Sequence, residues 1–267
     1  MSAPSEPRPR PAVAAGTFYP AEAHRLRAAV DRLLASGGAP IGDPPPAVIV
    51  PHAGYRYSGP VAASAYRLLR AAGDRVRRVA LLGPAHFVPL GGAAVPGSPA
   101  WDTPIGTAAI DPVLREVAAG AGAVIDDGPH EPEHALEVQL PFLMRLLGAG
   151  TTFLPVAVGR AGAEVVAGLV EALWGEVDLV VVSTDLSHYL DVHAARLRDR
   201  RTADAVLARR AEAIGPEDAC GLFALRGIVQ LARVRDLPIR LLDLRTSADT
   251  LGDPDRVVGY GAFAVGA

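Results

Sequence analysis

The sequence predicts an α/β fold, a single domain with a mostly parallel or mixed central sheet flanked by helices. Three observations carry this. The runs Val48–Val50, Val79–Leu82 and Leu179–Val182 are apolar throughout, as are strands buried on both faces of a parallel sheet. Segments of helical periodicity separate them in the strand, helix, strand spacing of a βαβ unit. Each run also leads, through proline or small and polar residues, to a histidine: Pro51-His52, Pro84-Ala85-His86 and Thr184-Asp185-Leu186-Ser187-His188. The carboxyl ends of parallel strands share one rim, where ligands bind, so three such histidines point to one site. The 267 residues are enough to bury one large core.

Taken in order, residues 1–12 are proline-rich and predict a disordered lead-in, which leaves 13–267 as the domain. A small-and-aromatic segment, Ala14–Pro20, precedes a helix over 21–35, where Leu26, Val30, Leu33 and Leu34 follow helical spacing. Ser36–Pro40 and the prolines at 44–46 predict a loop. After the first strand, Ala53, Gly54 and Gly59 let backbone and solute approach His52, and Pro60 is expected to open the second helix. The glycine- and proline-rich stretch from His86 to Gly106 predicts a long functional loop with a short strand near Ala93, packed down by Trp101. Asp111 and Pro112 read as the N-cap and first residue of a helix to Ala119. A helix over 132–147, a strand over 152–158, a helix over 161–174 and the third histidine-bearing strand over 178–183 follow. A helix over 194–213 carries alternating charge and is expected at the surface. Pro216 is expected to begin a helix with Cys220 in its first turns, and strands near 238–244 and 256–265 close the sheet.

Composition removes several classes of function. Half the residues are apolar and the net charge is −3, so neither disorder nor a general nucleic-acid surface is indicated. All 26 basic residues are arginine, which excludes a lysine Schiff base and a P-loop lysine. Cys220 is the only cysteine, so no intrachain disulfide forms and nothing signals an oxidising compartment. No signal-peptide apolar region follows Arg8 and Arg10, and no apolar run approaches the ~20 residues that span a bilayer. The expectation is a soluble cytoplasmic protein without nucleic-acid or membrane partners.

His52 and His86 form the strongest pair, because proline and small residues fix the backbone around each and a metal needs ligands that are held. One strand-end histidine is more often a structural cap; two together with His188 favour a site. Asp185 precedes His188 by three residues on a turn. It serves as an ordinary helix cap, or it orients the imidazole as a general acid or base, and the two roles are compatible. A lone cysteine is by default a small buried apolar residue. The setting Gly215–Gly221 argues otherwise for Cys220, since a nearby helix N-terminus favours the thiolate and the following glycine permits close approach. His130-Glu-Pro-Glu-His134 matches the H-E-x-x-H zinc-hydrolase pattern formally, but Pro132 in a first helical turn leaves His130 outside the helix and the motif is rejected. Glu133, His134 and Glu137 remain as a helical face directed at the site. His24 and His193 are expected to be solvated.

Pro51–Gly59, Gly83–His86, Glu133–Phe142, Ser183–His188 and Cys220-Gly221, in this order, resemble the Memo family, whose microbial members are called AmmeMemoRadiSam system protein B. The resemblance runs from Gly16 to the C-terminus. It implies a fold similar to the class III extradiol ring-cleaving dioxygenases, with a metal-capable pocket at the strand ends. It also implies metal ligands at His52, His86 and Cys220, with Asp185 and His188 beside them. Those dioxygenases hold non-haem iron with two histidines and a carboxylate; Cys220 stands where they have a glutamate. A thiolate moves the preference toward copper(I), zinc or thiolate-ligated iron, so iron or copper is expected, with zinc as the alternative. The family name further implies partner proteins of radical-SAM and Amme type, alongside an unidentified small molecule.

Three functions compete at this level. The first is a metal-binding protein with a His/His/Cys pocket and a redox or accessory role in an AmmeMemoRadiSam-type system. The second is a non-haem iron enzyme of extradiol type acting on a catechol-like substrate, with His188 moving a proton. The third is a metal-free module recognising a peptide or anion, for which Arg56 is the best support.

Overall fold

The chain is described by a computed structural model covering residues 8–36 and 43–266. In chain order its elements are α1 (Ala23–Ala35), β1 (Ala47–Val50), α2 (Tyr55–Tyr66), β2 (Arg78–Pro84), β3 (Ala93–Val95), β4 (Ala100–Thr103), β5 (Gly106–Ala109), α3 (Pro112–Gly120), β6 (Val124–Ile125), α4 (Leu140–Leu146), β7 (Thr152–Val158), α5 (Ala163–Trp174), β8 (Leu179–Ser183), β9 (His188–Leu190), α6 (Val192–Leu207), α7 (Leu222–Val234), β10 (Ile239–Thr246) and β11 (Val257–Val265). One mixed sheet runs β10-β11-β1-β8-β2-β7-β3-β6, with β9 on β11, and β4 and β5 form a separate hairpin. The single α/β domain expected from the apolar runs is therefore present.

At the centre, β1, β8, β2 and β7 are parallel, and every residue of β1 and β8 is buried. Their branched side chains pack on both faces, which is why these segments lack the polar alternation of a half-exposed strand. Val50 pairs with Ser183, and Leu82 with Val182, so β1, β8 and β2 end side by side. The chain leaves all three at one rim. Helix α7 lies on β2 and β8 and packs against α5, while α1, α2 and α4 pack against one another.

Several boundaries differ from the sequence expectation, each for a local reason. Arg10 belongs to the domain rather than to a disordered lead-in: it is buried, and its Nη1 lies 2.6 Å from Glu137 Oε2. Residues 1–7 of that lead-in, and 37–40 of the expected loop, lie outside the described residues. Helix α2 begins at Tyr55 rather than Pro60, because the Tyr55 N–H donates to the Phe18 carbonyl and the Gly54 carbonyl accepts from Tyr57 and Ser58. Pro60 then sits inside the second turn. The loop after His86 contains the β4–β5 hairpin, whose Trp101 is fully buried beneath the Arg10 guanidinium, 4.3 Å from the ring centre.

The helix expected over 132–147 is α-helical only from Leu140, after one 3-10 turn at Glu137–Gln139. Upstream, the Glu133 side chain accepts the His134 and Ala135 amides, a polar competition that holds the backbone in turns. Helix α6 starts at Val192 under an Asp191 cap and is not simply a surface helix: Ala195, Asp199, Thr202, Ala203, Ala205 and Val206 are buried, and it packs on β10 and β11. Helix α7 starts at Leu222, so Cys220 precedes it instead of lying within it. The Asp111 cap on α3 is as predicted, its carboxylate accepting from the Val113 and Leu114 amides.

Candidate metal centre

Strand β1 delivers His52 and strand β2 delivers His86 to the rim, and a third imidazole arrives from the turns before α4. Ligand-capable atoms of His52, His86 and His134 all lie within 4.8 Å of one another. The ring centres are 5.3 Å apart for His52 and His86, 5.6 Å for His52 and His134, and 5.1 Å for His86 and His134, the last pair stacked. Phe18 stacks on His134 at 4.0 Å. The rings are thus confined by packing as well as by their backbones.

The hydrogen bonds determine which nitrogens are free. Ser183 Oγ donates its one proton to the Ala135 carbonyl at 2.8 Å and accepts from Gln139 Nε2. Its contact with His52 Nδ1, at 2.9 Å, must therefore be an Nδ1–H donating to Ser183 Oγ, which leaves the lone pair on His52 Nε2. At His86 the partner is a carboxylate. Glu133 Oε1 accepts from Nδ1 at 3.0 Å while Oε2 accepts the His86 amide at 2.6 Å, again leaving Nε2 free. Such outer partners orient a ligating imidazole and raise its basicity. Glu133 is fully buried and accepts four N–H groups in all, from His86 twice and from His134 and Ala135. Burial opposes its charge, but the His86 and backbone hydrogen bonds win and lower its pKa to about 2.

Burial pushes His52 down to about 3, and the neighbouring His86 pushes in the same direction. Burial and then the His52 charge lower His134 to about 4. Near neutral pH these two rings are neutral, the state in which imidazole binds a metal.

Cys220 also reaches the site, by another route. Its Sγ lies 3.2 Å from His52 Nε2 and 3.3 Å from the Asp185 amide nitrogen. Gly221 makes this approach feasible, since a Cβ there would meet Thr184 Cβ at 2.7 Å and the Ser183 carbonyl at 2.8 Å. The helix terminus does not make the sulfur a thiolate. Burial raises its pKa, and the Asp185 charge adds to the rise. With the lone pair on His52 Nε2, the thiol is the donor in that contact, so its proton occupies the lone pair that a metal would use.

Asp185 and His188 line the same cavity as the three imidazoles, but Asp185 does not orient His188. The Asp185 carboxylate is turned inward, where its Oδ1 accepts the His52 N–H at 2.7 Å, and burial raises its pKa. His188 Nδ1 instead donates to the Leu186 carbonyl at 2.8 Å. His188 already begins β9, where it pairs with Val258 of β11.

Of the three groups beyond His52 and His86, Cys220 touches His52, His188 lines the cavity, and His134 joins the cluster. Sequence reasoning leaves His134 as a neighbour of the site because its offset within a presumed helix carries no hint of the turn that presents it. The adjacent Glu133-His134 pair was the available signal. His130 lies outside the cluster, fully buried, with Nε2 donating to the Ala94 carbonyl at 3.1 Å. The cavity has a volume of about 730 Å³, with Phe18, Tyr57, Phe87, Tyr189 and Tyr260 among its walls. Arg56 is not among its lining residues; its guanidinium lies over Tyr57, 4.8 Å from the ring centre.

Comparison with known proteins agrees with this picture. A solved structure, that of an uncharacterized protein from Escherichia coli K12, superposes with a TM-score of 0.52 over 82% of this chain and 99% of its own, at 12% identity. That likeness concerns the fold alone. Among sequences, a MEMO1 family protein of Methanopyrus kandleri is 35% identical over 276 residues, covering 95% of this chain and 97% of its own. One from Aquifex aeolicus is 34% identical with the same coverage. The family model described as Memo-like protein matches residues 10–264, so both the motifs and the whole domain place this chain in the Memo-like family.

Proposed function

We propose that this protein binds a metal ion at the rim of its sheet and acts through it as a redox or accessory protein. His52 and His86 supply two ligands, and His134 and Cys220 compete to supply the third. The observation that carries this reading is the cluster of three imidazoles with ligand atoms within 4.8 Å of one another. Two of them have the Nδ1–H committed to an outer partner, so that Nε2 carries the lone pair, free at His86 and met by the Cys220 thiol at His52. Bond lengths to zinc of about 2.0–2.1 Å for nitrogen and 2.3 Å for sulfur are within reach of side chains so placed. Three imidazoles suit iron, copper or zinc, and recruitment of the Cys220 thiolate moves the preference toward copper(I) and zinc.

When bound, such an ion supplies Lewis acidity and, if it is iron or copper, an electron. The chain's own groups do the rest. Ser183 and Glu133 hold two rings in their ligating tautomers, the aromatic walls offer flat apolar surface, and His188 Nε2, which makes no hydrogen bond among the described residues, is available to exchange a proton with a small molecule in the cavity. That last placement favours the second reading, an extradiol-type enzyme acting on a catechol-like substrate. Membership of the family supports an accessory role in an AmmeMemoRadiSam-type system, beside radical-SAM and Amme-type proteins. The single cysteine suits a reducing, cytoplasmic setting, and no helix among the described residues is long and apolar enough to cross a membrane.

The test is metal analysis by mass spectrometry of protein purified without oxygen, followed by loading with iron(II), copper(I) and zinc. His52→Ala should abolish loading. Loss of metal in His134→Ala but not in Cys220→Ser assigns a three-histidine centre; the reverse assigns His/His/Cys. A wild-type protein that takes up none of the three ions ends the proposal, and oxygen uptake with catechols that disappears in His188→Ala while metal is retained supports the enzymatic reading.

A further inference from the structure

Besides the imidazoles, the cavity is lined by Tyr189 of β9 and by Ser247, Gly252, Asp253 and Arg256 of the segment that leads into β11, where Tyr189 and Arg256 are exposed and form its mouth. Arg256 is the one permanent cation among the lining residues. Its guanidinium lies over the Tyr189 ring, 4.4 Å from the centre, and makes no ion pair or hydrogen bond among the described residues. The nearby Asp253 does not capture it, since Asp253 Oδ1 accepts the Asp255 amide at 2.9 Å. The other lining carboxylate, Asp185, is committed to the His52 amide.

Tyr189 makes this arrangement more than a surface contact. Its φ is +62°, in the left-handed region, where a residue with a bulky side chain is a genuine outlier and pays about 1–2 kcal/mol. The ring so presented is 63% exposed, so no burial of the side chain recovers that cost. Neighbours on both sides impose the conformation, because His188 pairs with Val258 and Leu190 with Val257 across β9 and β11. Strain of this kind at the lip of a cavity is characteristic of ligand clamps. The same pairing sets Arg256 immediately before the paired residues Val257 and Val258.

We propose that Arg256, braced on Tyr189, is the residue that selects the small molecule entering this cavity, and that it selects planar ligands carrying a carboxylate. The guanidinium fork matches a carboxylate bidentately, and the aromatic walls accept the planar body of such a molecule. The inference rests on reading this cavity as the substrate site, but the anion preference belongs to Arg256 and does not require the metal.

The test compares 3,4-dihydroxybenzoate with catechol, which differ only in the carboxylate. Binding is measured anaerobically by calorimetry at low salt, on the full chain in zinc-loaded and metal-free forms. Wild type should bind the carboxylate probe about tenfold or more tightly than catechol, as a charge-assisted pair implies. Arg256→Ala should bring the ratio to about one with the metal content of wild type, and Arg256→Lys should restore it only in part, because an ammonium lacks the fork. A ratio near one in wild type, a ratio that survives in Arg256→Ala, or no measurable binding of 3,4-dihydroxybenzoate in either form overturns the inference. If the chain takes up no metal yet the metal-free protein shows a preference that Arg256→Ala abolishes, the inference stands and the metal reading falls.

Discussion

The inner wall and the mouth of one cavity are built on opposite principles. On the inner wall the three rings are held in place. His52 is held by Ser183, His86 by Glu133, and His134 is packed between Phe18 and the His86 ring. Glu137, four residues after Glu133, does the same for the N-terminal segment: it accepts from Arg10, the Tyr19 hydroxyl, and the Val13 and Ala14 amides, and so ties down the stretch that carries Phe18. At the mouth, Tyr189 is strained and largely exposed, and the Arg256 guanidinium has no partner among the described residues beyond its ring. The contrast indicates a wall organised to hold ligating groups still and a mouth whose interactions are left for a visitor.

The sharpest way to break that contrast is to remove the anchor of the wall. Glu137→Ala leaves the Arg10 guanidinium buried without its counter-charge, and should cost about 3–5 kcal/mol of stability in denaturant unfolding. A loss below about 1 kcal/mol would mean that the N-terminal segment does not brace the site.

Acid should find the same wall. His130, buried behind the Glu133 turn, is lowered to about 4, by burial first and the Arg10 charge second. Its folded pKa lies below the ordinary 6.5, so between about pH 4 and 6.5 the unfolded chain binds the extra proton and stability must rise with pH across that window. The contribution of His130 is on the order of 3 kcal/mol. His130→Leu should remove its share of the rise measured by unfolding at a series of pH values, leaving that of His52 and His134, and an unchanged slope would contradict the assignment.

A smaller effect is expected one step closer to the metal. Glu133→Gln keeps the shape but removes the charge that accepts from His86, and should weaken zinc affinity about 10–100-fold in chelator competition. Equal affinity would show that the carboxylate is structural only. Smallest, and opposite in sign, is Tyr189→Gly. It relieves a left-handed residue worth about 1–2 kcal/mol and costs about 0.5–1 kcal/mol in backbone entropy, so the variant should be more stable by roughly 0.5 kcal/mol. A stabilising change at the mouth beside destabilising ones on the wall is the signature of the difference; a destabilised Tyr189→Gly would erase it.

Much of this architecture can be read from local chemistry. Apolar runs at 48–50, 79–82 and 179–182 predict β1, β2 and β8, and the prolines after them place His52 and His86 at the rim. Asp111 with Pro112 predicts the start of α3 for the same reason, since a cap and a fixed φ act within one turn. Where reading fails, a distant group has outbid a local preference. The helix expected over 132–147 gives way upstream because Glu133 spends its oxygens on His86, His134 and Ala135. The cysteine at a helix start stays protonated because burial and Asp185, 35 residues away, outweigh the dipole.

The amino-acid sequence by itself determined the strands, their shared rim and the two histidines mounted on it, because hydrophobic patterning and proline geometry act on neighbours along the chain. Tertiary structure decided that His134 and Cys220 both come within reach of them, which nitrogen of His52 and of His86 carries the proton, and that Arg10 closes on Glu137 across 127 residues. A buried polar atom must find a partner wherever folding brings one within hydrogen-bonding distance, and that choice is made in space, not along the sequence.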